Sequence, residues 1–331
     1  IDESGIAVIP TNTVVMSFKL SIGKTAITSE DMYSNEAIMS FHDRHVTELL
    51  PEYIYYLLLA QRWDEGANKA VMGMTQNKAT LSNRKVRIHS IIAQKSIVER
   101  LDKLQKLIDD RKTQLDELET LIKARFVEMF GDPLAGTEKW SFQTVGDVAD
   151  SVDPQPSHRT PPVVEGGIPY VSMKDCNYKN GTIDFAGARK VSPDVLVEHH
   201  NRYELHNGDF IIGKIGTIGN PIFVPKRDDY ALSANVVLIQ PNSSKVSPYF
   251  LKETFESSFV ERQFLDAKNS TSQAAFGIKK VRNIKIMNPD MKTQMEFENF
   301  AIQVDKLKVE VQKSLDEMQI LFDSLMQEYF G

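Results

Sequence analysis

Apolar residues recur at alternating steps of three and four along two stretches of the chain. Ile97, Leu101, Leu104, Ile108, Leu115, Leu118, Ile122 and Met129 form one stripe, with Arg111 and Arg125 filling its gaps. Phe297, Ala301, Val304, Lys308, Val311, Leu315, Met318, Phe322, Leu325 and Tyr329 form the other, in the same register. A 3.5-residue period is the heptad pattern of helices wound around one another. One long amphipathic helix cannot bury such a stripe alone, so two stripes in one chain predict two helices packed together. At 1.5 Å per residue each would extend about 55 Å. The Gly131-Asp132-Pro133 stop opens a new globular segment at the far end of the first helix, which predicts an antiparallel pair.

The two stretches are also copies of each other. Residues 94–131 align without a gap to 294–331, and 10 of the 38 pairs are identical: Gln94/Gln294, Lys106/Lys306, Leu107/Leu307, Leu115/Leu315, Asp116/Asp316, Glu117/Glu317, Leu121/Leu321, Glu128/Glu328, Phe130/Phe330 and Gly131/Gly331. Unrelated segments would share roughly two or three. The duplication continues upstream with small gaps. Val15–Lys19 answers Phe210–Lys214, Ile22-Gly23 answers Ile218-Gly219, and Asn35–Met39 answers Asn235–Ile239. Tyr53-Ile54 answers Tyr249-Phe250, Thr75-Gln76 answers Ser272-Gln273, and Val86–Ile88 answers Ile284–Ile286. β-branched runs at 209–215, 220–224 and 235–240 read as strands, the glycines 213, 216 and 219 as turns, and 248–264 as a helix. The expected fold is mixed α/β: two α+β heads joined by long antiparallel coiled-coil helices, with an internal pseudo-twofold repeat. The expected division is a first head over 1–90, incomplete at its N-terminal side relative to the second; a helix over 91–131; a linker over 132–139; a second head over 140–290; and a helix over 291–331. Residues 153–167, with four prolines, read as an exposed loop.

At 331 residues the chain suits two or three domains, and 41% hydrophobic with 25% charged residues is ordinary for a globular protein. No apolar run of about 18 residues predicts a membrane span. The single cysteine, Cys176, excludes an internal disulfide and fits a reducing cytoplasm. A net charge of −6 argues against a non-specific coat for nucleic acid, but not against a local basic surface. Catalytic patterns are absent. Gly23-Lys24-Thr25 lacks the upstream glycine of a phosphate loop, because position 18 is Phe18. Thr160-Pro161-Pro162-Val163 has neither the amide nor the aromatic of an adenine-methyltransferase motif, and His199, His200 and His206 lack metal-ligand spacing. The chain is expected to be non-catalytic, with no metal site.

The chemistry that is present is polar and basic. Asn269, Ser270, Thr271, Ser272 and Gln273 form one hydrogen-bonding run, and Thr75, Gln76, Asn77 and Lys78 stand at the matched place in the first copy. Asn and Gln pair bidentately with adenine in the major groove, and Ser, Thr and Lys reach bases or phosphates. Lys214, Thr217, Asn220, Lys226 and Arg227 cluster in sequence around the glycine turns, with Lys174, Lys279, Lys19 and Lys24 as further cations. These are the candidate DNA contacts. The packing between helices is assigned to Leu101, Leu104, Leu115, Leu118 and Ile122 on one and Val304, Val311, Leu315, Met318 and Phe322 on the other. Matched positions that are polar but not identical suit two related readers of two different short sequences.

In this order and duplication the motifs resemble the specificity subunit of type I restriction–modification enzymes. The marks are the Phe-Gly ends at 130–131 and 330–331, Trp140 with Val145-Gly146-Asp147-Val148-Ala149, the run Gly167–Asp175, and Gly208-Asp209-Phe210-Ile211 leading to Lys214-x-Gly216-Thr217-x-Gly219. The resemblance implies that each head is a target-recognition domain reading one half of a split double-stranded DNA site. It implies that the helices space the halves and dock methyltransferase subunits, that a restriction subunit joins them, and that S-adenosylmethionine, ATP and magnesium belong to those partners. A coiled-coil scaffold with two protein-binding heads, or a half-size specificity protein acting as a dimer, are the other readings of the same pattern.

Overall fold

The computed structural model describes residues 7–331 apart from 20–21, 43, 45, 64–67, 71–72, 76–84, 137–138, 158, 179, 215–217 and 270–276. The chain divides into two compact units, one of residues 1–112 with 313–331 and one of residues 113–312. The second unit is one continuous stretch, whereas the first joins residues 1–112 to 313–331. Each takes the start of one long helix and the end of the other.

In the first unit β1 (Val14–Ser17), β2 (Thr25–Ile27) and β3 (Ile38–Phe41) form an antiparallel sheet in the order β2-β1-β3. Helix α1 (Pro51–Leu59) starts with proline, whose missing N–H costs nothing in a first turn. A hairpin of β4 (Asn68–Ala70) and β5 (Gly73–Thr75) precedes α2 (Ile91–Phe130). The second unit holds β6 (Phe142–Thr144), α3 (Val145–Val148), β7 (Ala149–Val152) and β8 (Ile168–Val171), then β9 (Cys176–Asn177), β10 (Thr182–Ile183), β11 (Arg189–Val191) and α4 (Pro193–His200). It continues through β12 (Phe210–Gly213), β13 (Gly219–Phe223), β14 (Ala231–Leu232), β15 (Val236–Pro241), α5 (Pro248–Glu256), α6 (Ser258–Asn269), α7 (Ile278–Arg282), β16 (Lys285–Met287) and α8 (Met291–Phe330). Its main sheet has the order β13-β12-β15-β7, and β11-β8-β14 forms a second sheet in which β8 and β14 run parallel.

The duplication is therefore structural: β2-β1-β3 and β13-β12-β15 share strand order and antiparallel sense. Ladder pairing corrects the sequence register. Phe18 N–H donates to Ala37 O where Lys214 N–H donates to Asn235 O, so Phe18, not Lys19, stands in the place of Lys214. Ala37, not Asn35, likewise answers Asn235. α1 and α5 match from Pro51 and Pro248, which sets Tyr53 against Phe250 rather than Tyr249. Gly23 (φ 87°) and Gly219 (φ 84°) occupy equivalent turns in a left-handed conformation that favours glycine. A side chain on Gly23 would strike the Trp63 ring, and one on Gly219 would press the Phe264 ring. Val86–Ile88 forms no strand among the described residues, whereas β16 does. The partner of β16 is β6, in a region of the second head that has no counterpart in the first.

The seam between the long helices closes each unit. In the second, Ile122, Phe126 and Phe130 of α2 and Phe297, Ala301 and Val304 of α8 join Phe250 and Phe255 in one core, with Leu118 packed on it. Phe130 lies 4.7 Å from Phe250 and 5.6 Å from Phe297 between ring centres. In the first, Ile97, Leu101, Leu104 and Ile108 of α2 meet Phe322, Met326 and Phe330 of α8 around Tyr53 and Tyr56, with Leu315 and Met318 alongside. The Tyr53–Phe330 distance is 5.2 Å. Early residues of one helix meet late residues of the other in both units, so the pair is antiparallel. Val311 is buried and Leu115 half-buried. Gln94 and Gln294 explain one of the ten identities. Both are buried, and each uses Oε1 to accept the N–H just before the short helix (Leu50 at 3.0 Å, Ser247 at 2.9 Å). Each Nε2 donates to the carbonyl five residues back, His89 O or Pro289 O.

The two sheets differ in their faces. β12 is buried throughout: Phe210 and Ile212 enter the core with α5 and the long helices, while Ile211 enters a second core with Ile222, Leu238, Val236 and Val171. β1 alternates. Val14 and Met16 are buried against Leu58, but Val15 and Ser17 are half-exposed, and their cross-strand neighbours are Ala26, Ser40 and Ile38. A sheet with one wet face reads as such an alternation, and a sheet covered on both faces as a continuous apolar run. Ile211→Asp is expected to cost the second unit about 4 kcal/mol or more, and Val15→Asp to cost the first about 1 kcal/mol, read from urea unfolding of the intact chain.

Candidate nucleic-acid interface

The strand directions of the second head gather its loops at one edge. β7, β8, β12 and β14 end there, and β13 and β15 begin there. Lys214 N–H donates to Asn235 O, Ser233 N–H to Val171 O, and Ala234 N–H to the Tyr170 hydroxyl, binding the loop ends together. Lys174 stands exposed in the turn after β8, where Ser172 and Asp175 form a reciprocal capping pair. Asn220 is exposed, with φ 52°, just after Gly219. Phe264 lies on Gly219, and one turn later Ala267 O accepts from Lys280 Nζ at 3.2 Å. The ends flanking the polar run are thus brought beside the same glycine turn, and Lys279 is exposed there. Of that run, Ser270, Thr271, Ser272 and Gln273 lie outside the described residues, as do Thr217 and the side chain of Asn269.

Lys214 corrects the expectation of a DNA contact. Its side chain is 3% exposed, and Nζ lies 2.7 Å from Asp153 Oδ2. A buried lysine is tolerable only with its counter-ion, and pulling it out to a phosphate would strand Asp153. Its role is to tie the β12–β13 hairpin to the proline-rich loop after β7. That loop is exposed, as expected, but pinned at four points. Besides Asp153, the Arg189 guanidinium donates twice to Pro161 O (3.1 and 2.8 Å), Val164 N–H donates to Lys190 O, and His199 Nε2 lies 2.7 Å from Gln155 Oε1. Burial, helped by Arg202 and His200, pulls His199 down to about 4. The ring is therefore neutral, donating to Gln155 and accepting from the Tyr203 hydroxyl at 3.1 Å. Ser157, Arg159 and Thr160 stand exposed on this pinned loop. No rule of spacing singles them out in the sequence.

Lys226 and Arg227 stand apart from that edge. Strand β13 carries the chain from Asn220 at one edge to Phe223 at the opposite edge, about 10 Å away at 3.3 Å per residue, and both cations follow it there. They line a cavity of about 330 Å³ with Leu196, His200, Tyr203 and Tyr230. Arg227 is engaged by Asp229 (2.8 and 2.5 Å) and lies 4.4 Å over the Phe185 ring. In the first head Lys24 is exposed on the turn equivalent to 214–220, and Lys19 lies 3.9 Å from Glu36. Gln76, Asn77 and Lys78 lie outside the described residues, and Thr75 closes β5 with its side chain likewise outside.

The model of the type I restriction modification DNA specificity domain matches residues 1–120 and again 137–318. The chain belongs to this family. The EcoBI specificity subunit of a type I restriction enzyme of Escherichia coli is 19% identical over 284 residues, covering 76% of this chain and 58% of that protein. The chain thus spans under two thirds of that relative's length. Among solved structures, the S subunit of a type I restriction–modification system from M. genitalium superposes with a TM-score of 0.59 at 14% identity, over 97% of this chain and 83% of that one. A chain from a structure of complex assembly and conformational transition in a type I R-M system gives 0.53 at 15% identity, over 97% and 82%. Both share the fold of this chain. Among the described residues no helix is long and apolar enough to cross a membrane, and no cluster of metal-binding side chains occurs.

Two lysines, Lys174 exposed and Lys214 buried against Asp153, are expected to respond differently to removal. Lys174→Ala is expected to leave folding intact, to weaken duplex binding by the assembled complex equally on all sequences, and to lower the log–log salt slope by about 1. Lys214→Ala is expected to destabilise the second unit by roughly 3 kcal/mol, through the orphaned Asp153. Thermal unfolding and salt-dependent DNA titration measure the two effects.

Proposed function

We propose that this chain is the DNA-specificity subunit of a type I restriction–modification complex. Each head reads one half of a bipartite double-stranded target, and the chain catalyses nothing itself. The observation that carries this reading is the duplication. Two heads share strand order, glycine turn and a closing helix, and present different polar side chains at the same edge. Base edges are read by the loops of that edge in the major groove, while phosphate contacts supply affinity. S-adenosylmethionine, ATP and magnesium act on partner subunits, and the work on DNA places the complex in the cytoplasm.

The partners are methyltransferase subunits, joined by restriction subunits, and the helices offer them a matched surface. The first unit exposes Leu107 and Leu321, and the second exposes Leu121 and Leu307, each about half accessible. All four precede a core position of the stripe, and they are two of the ten identities. In an antiparallel pair such positions lie across from each other on one side of the seam. The short helices α1 and α5 pack on the other side, where Val98 and Phe126 are buried. Two identical leucine pairs suit two copies of one partner.

Replacing residues 140–290 by the second head of another specificity subunit is expected to change one half-site and leave the other unchanged, as mapped by methylated adenines in host DNA. Loss of neither half-site would sink the modular reading. Leu107→Glu with Leu321→Glu is expected to weaken binding of one methyltransferase subunit at least about tenfold and to leave the chain folded; native mass measurement counts the subunits bound.

A further inference from the structure

The seam in the second unit holds a charged cluster that joins three helices. Lys308 takes a core position of the α8 stripe, 16% exposed, with Nζ 2.5 Å from Glu119 Oε2 on α2 and 3.4 Å from Asp305. Lys123, one turn after Glu119, lies 3.7 Å from it and 3.5 Å from Glu256 of α5. Lys252 lies 2.5 Å from Glu256 and 3.9 Å from Glu253. Burial opposes charge on Glu119, but the Lys308 ammonium outweighs it and holds the carboxyl below its ordinary range. Burial pulls Lys252 down, yet Glu256 and Glu253 hold it above the usual lysine value. Burial raises Glu253 to about 7, with Lys252 opposing.

The first unit carries none of this. By the repeat, Lys308 is answered by Ile108, Glu119 by Gln319, Lys123 by Asp323, Lys252 by Tyr55, Glu253 by Tyr56 and Glu256 by Leu59. The apolar seam is, by contrast, interchangeable. Phe130 answers Phe330, Phe126 answers Met326, Phe297 answers Ile97, and Phe250 answers Tyr53. Apolar packing alone would let the α2 helix of one copy pair with the α2 of another. We propose that the Lys308–Glu119 cluster is the pairing key of this chain, admitting α8 beside α2 and rejecting a second copy's α2. A copy-to-copy pair in the same register sets Ile108 where Lys308 stands, and Tyr55 and Leu59 where Lys252 and Glu256 stand. Glu119, half-buried, then loses the Lys308 ammonium and keeps only Lys123, a mostly exposed lysine of its own helix. Removing one partner of a buried pair is strongly destabilising, whereas replacing both by apolar groups is not.

The test uses the full chain with Cys176→Ser and a reporter, Gln114→Cys, at the midpoint where two α2 helices in that register would meet. Oxidation is expected to give little covalent dimer with the native cluster. Adding Lys308→Ile with Glu119→Gln, the residues of the first unit, is expected to raise the dimer about tenfold or more, which is about 1.4 kcal/mol. Ile108→Lys alone supplies the missing cation to the copy-to-copy pair, and is expected to raise it too. Thr120→Cys, on the outer face, is expected to stay uncross-linked in every background, which distinguishes specific pairing from misfolding. Equal dimer in all backgrounds, or cross-linking at 120 as ready as at 114, would overturn the proposal. No DNA or methyltransferase enters the assay, so the outcome is separate from that of the proposed function.

Discussion

Antiparallel burial of two related heptad stripes is the constraint on which the rest of this structure rests. The end of each helix is an aromatic plug for the core that holds the start of the other. Phe130 fills the space among Phe250, Phe126 and Phe297, and Phe330 packs on Tyr53 in the equivalent core. Edge-on aromatic contacts of this kind add roughly 0.5–1.5 kcal/mol each beyond their area. The first unit is not complete within a continuous stretch of sequence, because it takes the last turns of α8 from some 200 residues away, whereas the second is one unbroken segment carrying the end of α2 and the start of α8.

Built on the same plan, the heads solve different packing problems. The second head covers both faces of its sheet, so β12 and β15 are apolar on both sides, and the second core recruits Val171, Met173, Tyr203 and Tyr230. The first head presents Ser17, Ala26 and Ser40 beside the half-exposed Val15 on the corresponding face. Covering that face with the apolar layer of the second head would take the Ser17 and Ser40 hydroxyls out of water, at a cost that burying apolar residues at the same places does not carry. The shared elements are the glycine turn, the strand order and the glutamine beside the short helix. They set where loops emerge and leave the loops free to vary.

Rigid presentation comes from buried polar chemistry. Lys214 with Asp153, Arg189 on Pro161 O, and neutral His199 between Gln155 and Tyr203 spend their hydrogen bonds on holding a proline-rich loop in place. None of these groups is free to touch a ligand. They fix the backbone from which Ser157, Arg159 and Thr160 project, and ordering that loop in advance lowers the entropy lost on binding.

The sequence by itself determined the long helices, their antiparallel sense, the duplication and the mixed character of the heads. A heptad stripe, a glycine at positive φ and an alternating strand are local signals whose meaning hardly depends on what packs against them. The polar loops and exposed cations were also legible as residue types. Their grouping was not. Lys214, Asn220, Lys226 and Arg227 are neighbours in sequence, yet one extended strand sends the last pair to the far edge of the sheet, and a counter-ion 61 residues away turns the first into a strut. Only the tertiary structure decided these points. Whether a charge faces water or a carboxylate depends on distant chain brought alongside, and single-residue registers such as Phe18 against Lys214 are set by ladder hydrogen bonds, which resemblance between side chains does not reveal.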